Sequence, residues 1–333
     1  MPPTTYGGTE LVVDTLARGL VAAGHDVVLV ATADSRCPVP TISFFDTPPR
    51  PMNTTAEELR HLQGAYDALA GEVDVIHDQT LLGPVWALAA GVRTPIVATA
   101  HGPITDLNRG IYAMTGRSVR LTAISHRQQE LAGDLPFHDV IHHGLDPARF
   151  DPGPGDGGYL MFVGRMSFEK GVRDAVLIAR GAGLPLVVAS KMREDVELEY
   201  FEKQVRPVAD SSVVFLGELA PDERDAYLRR AVALVNPIDW EEPFGLTMIE
   251  ALALGTPAIV TRRGAAPEII TDGVTGFVVD DLEQGVAAVA RIGGIDRGVC
   301  RKAVEGYFSA QRMVGQYEQL YRDVLARAAA RTA

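Results

Sequence analysis

Lysine is scarce in this 333-residue chain. Four of its 31 basic residues are lysines (Lys170, Lys191, Lys203 and Lys302), and residues 1–150 contain none. A polybasic membrane anchor in the first half is therefore not supported, and a lysine that falls in a motif carries weight. Cysteine is scarcer still: Cys37 and Cys300 lie in opposite halves, which suggests neither a disulfide framework nor a zinc site and fits a reducing, cytoplasmic setting. No apolar run reaches the roughly 18–20 residues of a membrane span. The opening MPPTTYGGTE has neither a basic nor an apolar signal region. An excess of positive charge is also missing. Residues 1–150 carry 10 basic and 16 acidic side chains and the rest 21 and 27, so each half stands at −6 and neither is a nucleic-acid platform.

What is present is an ordinary globular composition, 47% hydrophobic and 22% charged, at a length that predicts two domains with separate cores. Short apolar, β-branched runs alternate with helical patterns throughout, the signature of parallel sheets covered by helices. In the first half the expected strands are 25–33, 41–45, 74–77, 95–100, 121–124 and 140–141, with helices over 9–23 and 53–71. In the second half they are 159–163, 186–189, 213–216, 233–236, 257–261 and 276–279, with helices over 170–181, 195–210, 221–231, 244–254 and 282–292. The densest proline and glycine stretch, Asp151–Gly158, predicts the linker between domains 1–150 and 151–310. A last helical pattern over 311–330 is expected to cross back to the first domain.

A wound nucleotide-binding domain opens with a buried strand feeding a glycine-bearing turn. Tyr6-Gly-Gly-Thr-Glu10 reads as that turn, yet only five residues precede it, two of them prolines. The opening strand is thus expected to be missing, with a native start roughly 10–20 residues earlier.

Chemistry concentrates in a few segments. In Trp240-Glu-Glu-Pro-Phe-Gly-Leu-Thr-Met-Ile-Glu250, Pro243 is expected to start a helix, with Phe244, Gly245 and Leu246 presenting backbone N–H groups to an anion. Glu242 and Glu250 flank that terminus, and carboxylates accept paired hydrogen bonds from vicinal hydroxyls; the plain alternative is a buried helix with an acidic first turn. In Met161–Val172 an apolar strand ends at Gly164-Arg165 and a helix opens at Lys170-Gly171. Arg165 and Lys170 would together neutralise a diphosphate, or else lie on a solvated surface. Gly7 and Gly8 would allow close backbone approach of a phosphate or sugar. His101 follows an apolar strand, so it faces a ligand or serves as a structural residue. His142-His143 lacks a third metal ligand at recognisable spacing.

Together these segments resemble the retaining family-4 glycosyltransferases of the GT-B fold, across nearly the whole chain and in the family's order. The matching pieces are Tyr6–Glu10, Gly24–Val27, Thr99–Gly102, Val140–Asp146, Phe162–Arg165 with Lys170-Gly171, Phe215–Gly217, the Glu242/Glu250 pair and Pro267–Phe277. The glutamate pair with Gly-Arg and Lys-Gly upstream is the specific part. The resemblance implies two Rossmann-like α/β domains facing across a cleft, and a hexose-type sugar moved from a nucleoside-diphosphate sugar to a hydroxyl acceptor. It implies that Gly7 and Gly8 approach the donor, that His101 lies beside the transferred sugar and that Arg165 and Lys170 hold the diphosphate. Glu242 would bind the sugar hydroxyls beside the Phe244–Leu246 backbone, and Glu250 the ribose. No metal and no cofactor beyond the donor is implied. Ser190 and Lys191 stand where relatives often carry a glycine-rich turn. The acidic bias of 53–71, with Glu57, Glu58 and Asp67 against Arg60 and His61, points to a small soluble acceptor rather than a membrane. A non-catalytic nucleotide-sugar binder and another GT-B enzyme such as an epimerase are the alternatives, separated from a transferase by its slow hydrolysis of donor. Because two side-chain cations fill the role of a divalent ion, EDTA is expected to leave turnover unchanged; a tenfold loss would overturn the metal-free reading.

Overall fold

The structure, a computed structural model, describes residue 1 and residues 7–49 and 55–332. Tyr6 of the expected turn, the residues between it and Met1, and the first two residues of the helix expected from Asn53 lie outside the described residues. The first part of the chain runs α1 (Gly8–Ala22), β1 (Leu29–Val30), β2 (Thr41–Ile42), α2 (Thr55–Leu69), β3 (Ile76–Asp78), α3 (Gly83–Ala90), β4 (Ile96–Thr99), α4 (Asp106–Thr115), β5 (Arg120–Ala123), α5 (His126–Ala132) and β6 (Phe137–Val140). It continues with β7 (Leu160–Arg165), α6 (Val172–Ala182), β8 (Leu186–Lys191), α7 (Asp195–Tyr200), β9 (Val213–Gly217), α8 (Pro221–Leu228), β10 (Ala233–Asn236), α9 (Leu246–Ala253), β11 (Ala258–Thr261), α10 (Ala266–Ile269), β12 (Gly276–Val279), α11 (Leu282–Arg291), α12 (Arg297–Gly306) and α13 (Ala310–Thr332). No helix among the described residues is long and apolar enough to cross a membrane.

The chain forms two compact units, one built from Gly7–His143 with the helix from Ala310, the other from Gly144–Ser309. In the first, a parallel sheet of order β3-β4-β5-β6 stands beside a separate parallel pair, β1-β2. Ile76, Ile96, Ala98, Leu121, Ala123 and Phe137 form the core of the four-stranded sheet. α13 packs on α1, close enough that a Cβ on Gly19 would strike the Val314 side chain. Asp151–Gly158 lies within the second unit, where Gly153 donates its N–H to Leu254 O at 3.0 Å and accepts from Arg297 at 2.9 Å.

The second unit is one six-stranded parallel sheet, order β12-β11-β10-β7-β8-β9. Leu160, Phe162, Leu186, Val188, Val235 and Ile259 are almost fully buried, because helices cover both faces and the strands consequently read as near-continuous apolar runs. Two expected helices differ. The pattern over 195–210 is α-helical only to Tyr200, then widens to a π turn over Phe201–Val205 and tightens to a 3₁₀ turn at Arg206–Val208. Pro207 lacks the N–H an α-helix needs there. The helix expected over 244–254 begins at Leu246, because Gly245 takes φ 98° and ends the preceding loop; Pro243 therefore lies ahead of the helix rather than in its first turn.

The loop from β7 to α6 is set by Gly171, whose φ of +74° is left-handed and whose missing Cβ would otherwise fall on the carbonyl oxygen of Pro237. A side chain there pays for both the backbone conformation and the overlap. Gly171→Ala should lower the unfolding free energy by on the order of 1–3 kcal/mol. Urea denaturation measures this, and a change within about 0.5 kcal/mol, the range of a neutral surface substitution, would show that the loop relaxes freely.

Candidate active site

In the second unit the chemistry gathers at the carboxyl ends of β7 and β10, adjacent and parallel through Ala233↔Leu160. Two chain segments meet there. The β7 segment ends at Gly164-Arg165, paired with Ser190 and Lys191 of β8, and turns through Phe168–Lys170 into α6. The β10 segment runs from Asn236 to Gly245, and Asp239 N–H bonds Glu169 O at 2.9 Å, stitching the two together.

That stitch brings Lys170 to Glu242. Lys170 Nζ donates to Glu242 Oε2, and the two side chains are only 14% and 13% exposed. Trp240 joins twice: its Nε1–H donates to the same Glu242 oxygen at 2.9 Å, and its ring lies 5.0 Å from Lys170 Nζ, a cation–π distance. Gly264 closes the other side, since a Cβ there would fall on the Glu242 backbone, and Glu242 O accepts from Ala265 N–H at 2.9 Å. Arg165 is held more loosely, 3.1 Å from Glu169 Oε1 with both side chains about one-third exposed. Each of the two cations expected to face an anion is thus matched by a carboxylate, so the site is close to neutral rather than a bare positive pocket.

Downstream, Phe244 is buried and Gly245 caps α9 with no side-chain hydrogen bond. Glu250, two turns along the sequence motif, is 4% exposed and lies 3.1 Å from the Arg224 guanidinium of α8. Arg224 also donates to Asp225 at 2.8 Å. Burial raises the Glu250 carboxyl above its ordinary range, and Arg224 opposes that rise.

The remaining predicted residues belong to the first unit. Gly7 precedes α1 in an extended conformation with no side-chain cap, and Gly8 opens the helix. His101 follows β4. Its Nε2 lies 2.7 Å from Gln79 Oε1, which as an amide oxygen accepts, so Nε2 carries the ring proton. Burial holds the imidazole pKa down at about 4, so the ring is neutral near pH 7. Its face stacks on His143, centroids 5.4 Å apart at 22°, and burial keeps His143 neutral as well. Behind it, His77 bridges Tyr321 OH at 2.7 Å and Thr99 Oγ1 at 2.8 Å, and Thr99 meets Tyr317 OH at 3.0 Å.

Arg165, Lys170, Glu242 and the Phe244–Leu246 turn therefore share one unit with Glu250, and Gly7, Gly8 and His101 share the other. Sequence reasoning passed over Arg224, Trp240 and Gln79. Trp240 stood inside the motif without a role. Arg224 and Gln79 sit 26 and 22 residues from their partners and carry no local signal.

A model of glycosyltransferase family 4 matches residues 6–149, and one of glycosyl transferases group 1 matches residues 157–293. Glycogen synthase of Mycobacterium tuberculosis is 29% identical, the match covering 87% of this chain and 83% of that protein. MMP alpha-(1->4)-mannosyltransferase of Mycolicibacterium hassiacum is 26% identical over 98% and 97%. The crystal structure of AviGT4, a glycosyltransferase involved in avilamycin A biosynthesis, superposes with a TM-score of 0.75 at 27% identity, covering 98% of this chain and 92% of that one.

The Arg224–Glu250 pair carries a pH test. Because burial raises the folded-state pKa of Glu250, the folded protein binds this proton more tightly than the unfolded chain, so the group's contribution to stability falls as pH rises through the folded pKa. Arg224→Ala removes the partner that opposes the rise. It should cost about 3–5 kcal/mol near pH 8, the cost of stranding a buried charge, and distinctly less near pH 5, where the carboxyl more readily keeps its proton. Denaturation at both pH values measures the difference; equal losses would show that Glu250 finds another counter-charge.

Proposed function

The chain belongs to the family-4 glycosyltransferases of the GT-B fold, an enzyme family that draws on nucleotide-sugar donors, and on that premise we propose that it transfers a hexose-type sugar with retention to a hydroxyl of a small soluble acceptor. The observation that carries this reading is the Lys170–Glu242–Trp240 cluster beside Arg165. Arg165 exchanges its partly exposed Glu169 partner for the donor diphosphate, because an ion pair open to solvent is worth only about 0–1 kcal/mol. Lys170 stays tied to Glu242 and adds a second positive charge to the same phosphates as negative charge builds on the leaving group. Glu242 keeps one oxygen for Lys170 and Trp240 and offers the other to the sugar hydroxyls.

The backbone at Phe244–Leu246 faces the donor ahead of α9, where the helix dipole favours an anion. Glu250, steadied by Arg224, receives the ribose hydroxyls. Neutral His101, with its proton on Nε2, presents Nδ1 as an acceptor to the transferred sugar. Gly7 and Gly8 allow the first-unit backbone to approach it. Retention follows if the acceptor attacks from the face the nucleotide leaves, the departing phosphate taking the acceptor proton; no protein carboxylate pair flanks the bond as in glycosidases.

A hexose donor is supported by the names of the relatives, a glycogen synthase and a mannosyltransferase. A small acceptor is supported by AviGT4, whose title places it in avilamycin A biosynthesis, and by the acidic α2, with Glu57, Glu58 and Asp67.

The test is a thermal-shift panel of UDP-, GDP- and dTDP-hexoses, followed by donor hydrolysis without acceptor. Release of nucleoside diphosphate is expected for the stabilising donor, and binding without release would assign a non-catalytic binder. Lys170→Ala and Glu242→Ala should each reduce turnover by about 100- to 1000-fold, as loss of a transition-state charge contact does. Wild-type turnover in either variant would remove the cluster from the chemistry. Proton NMR of the product reads the anomeric configuration, and inversion would refute retention.

A further inference from the structure

The loop that leaves β3 holds one amide where it governs the ring beside it. β3 and β4 run parallel and in register from Ile76↔Ile96 to Asp78↔Ala98, so Gln79 and His101 leave neighbouring strands at the same carboxyl edge. The turn that carries Gln79 is pinned on both sides. Asp78 Oδ1 accepts from Thr80 N–H and from the Thr80 hydroxyl, each at 2.7 Å, and Asp78 Oδ2 accepts from Tyr66 OH at 2.7 Å. Thr80 Oγ1 in turn accepts from Gly83 N–H at 2.9 Å, and a Cβ on Gly83 would overlap Asp78 Oδ2. On the strand side, His77 is tied through both ring nitrogens to Tyr321 and Thr99.

This bracket aims an uncharged acceptor. His101 Nε2–H donates to Gln79 Oε1 at 2.7 Å, and His143 covers one face of the ring. Among the described residues Nδ1 of His101 has no hydrogen-bond partner. A carboxylate at position 79 would also accept from Nε2–H, but its charge would favour the imidazolium and turn Nδ1 into a donor. An amide oxygen fixes the tautomer without charging the ring.

We propose that Gln79 is a positioning residue that sets donor specificity: by keeping His101 with an acceptor-only Nδ1, it makes the site require a hydroxyl at one position of the transferred sugar and reject the sugar deoxygenated there. A C–H offers that lone pair nothing, and an acceptor shut away from water without a partner loses its hydration uncompensated. The place of the sugar rests on the donor-site reading above, whereas the hold of Gln79 on the tautomer stands on the first unit alone.

Two measurements on the full chain test the two parts. NMR of protein labelled with ¹⁵N in its histidine rings reads the tautomer, the His101 signals being identified by their loss in His101→Asn. A protonated Nε2 and bare Nδ1 in the wild type, with mixed tautomers in Gln79→Met, which keeps the shape without the acceptor, support the proposal. A proton on Nδ1 in the wild type, or an unchanged spectrum in Gln79→Met, overturns it. The second measurement is hydrolysis of UDP-glucose and GDP-mannose and of their monodeoxy analogues. One analogue should lose about tenfold or more in kcat/KM with the wild type. Gln79→Met should lose about tenfold on the parent donor and little further on that analogue; equal discrimination by both proteins overturns the specificity role.

Gln79→Glu adds a pH signature. Around the ring stand His143 and His77, both held neutral by burial, and α13 brings Arg312 to the His143 carbonyl, so the new carboxylate is the added charge. It raises the His101 pKa, and turnover, low near pH 6, should recover as rising pH removes the Nδ1 proton, while Gln79→Met stays low throughout. Parallel profiles of the two variants would overturn the proposal. If the wild type hydrolyses neither donor, the transferase reading fails and the hydroxyl requirement falls with it, while the histidine spectrum still decides whether Gln79 sets the tautomer.

Discussion

The ion pair between Lys170 and Glu242 is the constraint around which the second unit's site is arranged. Neither side chain is exposed by more than 14%, so each desolvated charge depends on the other, and removing one strands its partner. The backbone is bent to permit the meeting. Gly171 adopts a left-handed conformation under Pro237, Asp239 N–H bonds Glu169 O, and Gly264 leaves room for the Glu242 main chain. Parallel pairing of β7 with β10 is what brings these loops to one edge. The site thus follows from the winding of the sheet, as ligand sites at carboxyl edges do in this class of fold.

Neutralised cations are no obstacle to binding a diphosphate, provided that one pair exchanges cheaply and the other does not. Arg165 and Glu169 are each about one-third exposed, so water replaces most of what either loses on parting. Lys170 and Glu242 are shielded by Trp240, whose indole N–H and ring contact both. In the proposed reading the asymmetry would divide the work between a bidentate donor free to exchange partners and a fixed point charge. It also keeps the empty site from presenting an unpaired buried charge, which an acidic protein would otherwise have to accommodate without ligand.

Much of this was legible in the sequence, for physical reasons that differ by element. β10 and β12 match the expected 233–236 and 276–279 because a strand buried on both faces is an uninterrupted apolar run with sharp polar ends. The start of α9 was misread because Pro243 looked like a first-turn residue, whereas Gly245 takes a positive φ at a place where a Cβ would strike the Met248 side chain, a backbone conformation that no hydrophobic period marks. α3 was invisible as a helix, its Gly-Pro-Val-Trp-Ala-Leu-Ala-Ala sequence being apolar nearly all round and without a stripe. Lys170 and Glu242 were recognisable by motif, but their mutual contact across 72 residues was not. The same holds for Arg224 with Glu250 and Gln79 with His101, where each partner lies on a different element and carries no periodic signal.

The pairings that escaped the sequence are those that set protonation and charge. Gln79 fixes which imidazole nitrogen of His101 carries the proton, and burial removes the positive form near neutral pH. Arg224 sets how far the buried Glu250 carboxyl departs from ordinary behaviour. A motif specifies which groups are present, whereas the neighbours supplied by the sheet decide the state in which those groups meet a ligand. Chains sharing the Glu242–Glu250 motif but differing at positions 79, 224 or 240 would therefore keep the strand order and shift the protonation or charge of His101 in the first unit, or of Glu250 and Glu242 in the second, because those three residues contact these groups and none of them lies in a strand.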